Sequence, residues 1–136
     1  MTGDDFFGSE RSVIVEQATT ARIVFTGTDG VEQVMRDGLA ITDGEVVDAA
    51  VMRVKPLRRF LAEQIADARR QDVLFSVHLK ASMMKISDPI LFGHVVTVFF
   101  ADVFTRHAAT FQALGVNPNN GLGGLMEKIA TLPEAK

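Results

Sequence analysis

The chain has 136 residues, 47% of them hydrophobic and 23% charged, with a net charge of −3. That suits one globular domain able to bury roughly two thirds of the surface its unfolded form exposes. It contains no cysteine, tyrosine or tryptophan, so disulfides, thiolate metal sites and cysteine nucleophiles are excluded.

Residues 1 to 19 read as an irregular leading segment, with Phe6 and Phe7 available to anchor it on something apolar. Its acidic, polar start (Asp4, Asp5, Ser9, Glu10) has the wrong character for a signal peptide. Residues 20 to 27 (TARIVFTG) alternate and are rich in β-branched types, so they predict a strand. Asp29-Gly30 signals a hairpin turn, because glycine accepts positive φ. Residues 31 to 41 form the return strand, Asp43-Gly44 a second turn, and residues 45 to 52 (EVVDAAVM) a third strand.

Pro56 fits the first turn of a helix over 56 to 71, with Leu57, Phe60, Leu61 and Ile65 at helical spacing and Arg58, Arg59, Glu63 and Arg69 on the other side. The nearly continuous apolar run 73 to 79 (VLFSVHL) predicts a buried inner strand. Ser87 or Asp88 caps the next helix, with Pro89 at its first position. Phe92, Val95, Val96, Phe99, Phe100 and Val103 share a stripe, while Leu91, Val98 and Phe104 fall off it; so wide an apolar face implies burial on two sides. Asn117-Pro118-Asn119-Asn120-Gly121 is a loop, and 122 to 131 a last short helix stopped by Pro133. The fold class expected is α/β, with α+β as the alternative: a single domain over 1–136, its mixed sheet covered by helices.

The apolar stretch 90 to 101 is broken by His94 and is far short of the ~20 residues a membrane span needs. A basic face with stacking platforms, the usual mark of a nucleic-acid binder, is not visible either. The expected partners therefore include no membrane and no nucleic acid, and the expected location is cytoplasmic.

Ser76, His78 and Asp88 lie close in sequence, but there is no nucleophile elbow and nothing in the sequence sets a serine against a histidine. His78, His94 and His107 lack the i, i+4 pairing of a metal helix, and each reads as a hydrogen-bonded structural histidine. Gly121-Leu122-Gly123-Gly124 precedes a helix but follows a helix and a loop, so a turn and cap is favoured over a phosphate cradle. Lys80 and Lys85 follow the apolar run, where ligands bind in open sheets. Two readings of Lys80 stay open on chemistry alone: a partly buried lysine with a depressed pKa that moves protons, or one that snorkels at a strand end.

The segment HLKASMMKISDPI (78–90) resembles one from the monomeric-type NADP-dependent isocitrate dehydrogenases. DDFFGSERS (4–12), GEVVDAAVM (44–52), VLFSVHLK (73–80), FGH (92–94), VNPNNGLGGL (116–125) and LPEAK (132–136) extend the likeness in order over essentially the whole chain. More distantly, the motif K-G-N-I-M-K-F-T-E-G of the homodimeric isocitrate dehydrogenases is similar, its first lysine falling on Lys80 and its second on Lys85. The resemblance implies that Lys80 is the catalytic and substrate-binding lysine, and that Lys85 does not have that role. It also implies oxidative decarboxylation of isocitrate to 2-oxoglutarate with NADP and Mg²⁺ or Mn²⁺, in the tricarboxylic acid cycle and glyoxylate bypass. The chain departs from the family in being several times shorter and in lacking the tyrosine that handles the enol proton. The family's metal aspartates, tricarboxylate site and NADP region lie outside the matching segment. The chain is thus expected to be a segment of the clasp-like second domain, half of a duplicated unit. It is expected to be inactive alone, to bind no cofactor or metal by itself, and to meet isocitrate only in a complete site. Its expected partners are the remaining segments of the enzyme or a second copy of itself as a homodimer. A non-catalytic, self-associating domain is the alternative.

Overall fold

A computed structural model describes residues 1–79 and 87–133. The chain divides into two compact units, Thr2–Met52 and Arg53 onward. Helices with small antiparallel sheets give the mixed class expected, but the sheet is assembled differently from the single mixed one foreseen.

In the first unit the leading segment is not irregular throughout. Asp5 accepts a hydrogen bond from the Gly8 amide at 2.8 Å and starts a one-turn helix, α1 (Phe6–Ser9). Strand β1 (Arg11–Ile14) follows. Strands β2 (Thr19–Thr26) and β3 (Glu32–Ile41) form the foreseen hairpin, Thr26 opposite Glu32 and Thr19 opposite Ile41. At its turn Gly30 has φ 77°, and Asp29 Oδ1 accepts from the Val31 amide at 3.0 Å. The pairing register slips twice, between Ala21 and Ile23 and between Ile23 and Val24, and Gly38 in β3 takes φ 68° near the first slip.

Strand β4 (Val46–Ala49) follows the Asp43-Gly44 turn as expected. It pairs antiparallel with β1 rather than joining the hairpin, Arg11 opposite Ala49 and Ile14 opposite Val46. Among the described residues there are therefore two separate two-stranded sheets. Ser9 clips α1 to the residues after β4: its hydroxyl donates to the Val51 carbonyl at 2.7 Å and accepts from the Val51 amide at 2.8 Å.

The second unit is helical. α2 (Val54–Gln71) carries Pro56 in its first turn and buries Leu57, Leu61, Ile65 and Ala68, a 4-4-3 spacing that makes one stripe. Asp72 ends it in the left-handed region at φ 51°, and the Val73 amide reaches back to the Ala68 carbonyl at 3.0 Å. Residues 73 to 79 form no strand. An apolar run becomes a strand only against a partner ladder, and here none is provided; Leu74 stands 92% exposed.

α3 (Ser87–Phe99) takes Ser87 and Asp88 into its first turn with Pro89, so these two are helical residues, and the position before them lies outside the described residues. The expected long phenylalanine-rich helix is broken into α3, α4 (Ala101–Arg106) and α5 (Ala108–Ala113). Phe100 and His107 leave helical geometry at the joints. The Thr105 hydroxyl donates to the Ala101 carbonyl at 2.8 Å, a back-bond that bends helices. The edge-to-face pairs Phe99–Phe100 and Phe104–Phe111 pack across the two breaks. Pro118–Asn120 is a 3-10 turn, and α6 (Gly121–Ile129) closes the described chain. The buried apolar residues are Leu57, Leu61, Ile65, Ala68, Val96, Phe111 and Leu125, all in this second unit.

Candidate functional site

Lys80, with Lys85 and the rest of 80–86, lies outside the described residues. Its flanks are described. On the leading side the backbone from Val73 to Leu79 is irregular, where a buried strand was expected. Ser76 Oγ does lie against His78, 2.5 Å from Nε2, which the sequence did not indicate. Both are exposed, and no nucleophile elbow holds the serine.

On the trailing side, α3 carries the Phe92-Gly93-His94 motif into contact with the Asn-Pro-Asn-Asn-Gly motif. Gly93 is buried because Asn119 packs against its α-carbon; a Cβ there would collide with Asn119 Oδ1. The Phe92 ring in turn lies over Gly121, where a Cβ would meet Cε1 at 3.1 Å and where φ is 71°. Asn117 Oδ1 accepts from the Asn119 amide at 3.0 Å and fixes the turn between them. The two motifs, read separately in the sequence, form one packing unit. In the glycine-rich stretch only Gly121 has turn geometry; Leu122, Gly123 and Gly124 lie in the first turn of the last helix, Gly121–Ile129, whose N-cap position is Asn120, not in the turn and cap expected.

Arg58 of α2 was assigned only to the solvent side of its helix. It donates to Thr97 Oγ1 at 2.9 Å and stands 3.5 Å from His94 Nδ1. Burial, and then the Arg58 charge, hold the His94 imidazole below its ordinary range. Thr97 Oγ1 also donates to the His94 carbonyl at 3.1 Å. In the first unit, Glu10 is held above the usual carboxylate range by its hydrogen bond with Asp48 and by that neighbour's charge. Among the described residues no three His, Asp or Glu side chains stand together as metal ligands. No described helix is long and apolar enough to cross a membrane.

The described residues bring two motifs and the Arg58, His94 and Thr97 side chains together on α2 and α3. The family model for monomeric isocitrate dehydrogenase matches residues 1–136, and the chain belongs to that family. It is 47% identical over its whole length to NADP isocitrate dehydrogenase 2 of Colwellia maris. It is 43% identical over its whole length to the NADP isocitrate dehydrogenase of Azotobacter vinelandii, and 40% to NADP isocitrate dehydrogenase 2 of Mycobacterium tuberculosis. In each case the chain spans 18% of the relative's length.

Proposed function

We propose that this chain forms part of an NADP-dependent isocitrate dehydrogenase, contributes Lys80 as the catalytic and substrate-binding lysine, and is inactive by itself. One observation carries the reading: the family match runs through all 136 residues, while the relatives named for the activity are several times longer. A cytoplasmic location goes with it.

The chemistry asked of Lys80 is limited. Oxidation of a secondary alcohol removes a hydroxyl proton as hydride leaves the same carbon. NADP accepts the hydride, and a divalent ion polarises the oxygen, when they are bound. Other segments of the enzyme would hold the ion and NADP. A lysine amine beside the hydroxyl takes or relays its proton, provided burial or a neighbouring cation lowers its pKa toward the working pH. Loss of carbon dioxide from the resulting keto acid leaves an enol, which needs an acid to protonate its carbon. No tyrosine of this sequence can fill that place.

The test is Lys80→Met in the whole enzyme. Turnover should fall on the order of 10²- to 10⁴-fold, the usual scale of lost acid-base help. A fall of less than about threefold would remove Lys80 from the mechanism. NADPH formation by this chain alone, given isocitrate, Mn²⁺ and NADP, would overturn the claim of inactivity.

A separate observation favours a second reading, a non-catalytic domain that associates with itself. The strands of the first unit expose Val13, Ile14, Ile23, Phe25, Val46 and Val47. Surface of this kind marks an interaction site. A stable monomer in sedimentation, at concentrations up to the millimolar range, would exclude it.

A further inference from the structure

We propose that the joint between α2 and α3 is proton-sensitive: it is held by a neutral His94 and loosens when that ring is protonated. The geometry favours the neutral ring. Arg58 has only N–H donors to offer, and it reaches two consecutive turns of α3, Thr97 Oγ1 at 2.9 Å and His94 Nδ1 at 3.5 Å. Facing a guanidinium, Nδ1 has to present its lone pair, so the ring's proton sits on Nε2.

Protonation would place an N–H on Nδ1 opposite the Arg58 donors, replacing donor and acceptor by two cations. Thr97 does not escape the change. Its hydroxyl accepts from Arg58 and donates to the His94 carbonyl at 3.1 Å, so displacement of Arg58 removes the bond that ties this turn of α3 to α2 and leaves only the bond within α3. The ring is partly buried, which further disfavours the charged form.

Among the described residues, the charges around the ring come from few places. Arg58 is the charged group that bears on it from α2. The Pro118–Asn120 turn packed on α3 has no titratable side chain. Asp88 is partly exposed in the first turn of α3, and Glu127 and Lys128 of α6, like Asp102 and Arg106 of α4, are exposed. The joint they surround is the contact between the two helices that carry most of the buried apolar residues.

The sign follows from linkage. A group held below its ordinary range favours the folded state above that range, and the benefit is lost as pH falls through the folded-state value. The test uses the full chain. The His94 ring is followed by NMR from about pH 8 to about pH 5, across the range where imidazole titrates. Amide exchange in α2 and α3 is compared at the two ends after correction for intrinsic rates. The His94 midpoint should lie below the ordinary imidazole value, and Arg58→Met should raise it. Protection of the joint should drop on acidification in the parent, by up to about tenfold for each pH unit of depression, and much less in His94→Gln, whose amide oxygen still accepts from Arg58. A midpoint at or above the ordinary value, or the same loss of protection in His94→Gln, would overturn the proposal.

Discussion

Gly93 shows how a single missing side chain positions two motifs. Its α-carbon is the surface on which Asn119 packs, and any Cβ would run into the Asn119 amide. Helical glycine is otherwise costly, by about 1 kcal/mol against alanine. Gly93→Ala should therefore lower stability despite its better propensity, by about 1–3 kcal/mol, the usual cost of overpacking. Combining it with Asn119→Ala should recover part of that loss in a denaturant-unfolding cycle; an additive double variant would mean the two residues do not meet. At the same scale, the sequence alone assigned Gly121 to a turn, and the φ of 71° agrees. It gave no sign of the Arg58 bracket, because Arg58 shares the polar side of α2 with Arg59 and Glu63, and polar periodicity does not say which charge finds a partner. Lys80 lies outside the described residues, and its proposed role rests on the motif around it alone.

The elements that could be read were those fixed by local chemistry. The hairpin needs only Asp29-Gly30 and alternating neighbours, and α2 only its 4-4-3 apolar spacing and a residue able to end it. What failed was non-local. β1 exists because Ile14 pairs with Val46 and Arg11 with Ala49, and a four-residue run carries no trace of so distant a partner. The run 73–79 failed in the opposite sense, since hydrophobicity indicates burial but cannot supply a ladder. This difference is measurable. Leu61, 5% exposed on the core stripe of α2, should cost about 2–5 kcal/mol as Leu61→Ala. Leu74→Ala should change stability by no more than about 0.5 kcal/mol, because the side chain is 92% exposed. Both are read from urea midpoints with unchanged slopes. A large loss at Leu74 would show that the run is buried after all.

At the scale of the whole chain, the two units differ in how they are held. The helical unit has a core; the strand unit contributes none of the buried apolar residues. In β1–β4, Val13 sits opposite Val47 and Ile14 opposite Val46, so both faces of this ribbon are apolar. An isolated two-stranded sheet is marginally stable at best in water. Backbone pairing and the Ser9–Val51 clip are modest terms, each about 1 kcal/mol net. Such a unit has little to hold it uncovered, and under the proposed function the remaining segments of the enzyme would supply the cover. The free chain should therefore bind a hydrophobic dye, and amides of β1 to β4 should exchange faster than those of α2. Adding the segments that complete the enzyme should suppress the dye signal and slow exchange in the strands, with little change in α2. Should the strands of the free chain already be protected as strongly as α2 while the chain is monomeric, the strand unit is stable uncovered, and the need for a complementary surface falls away.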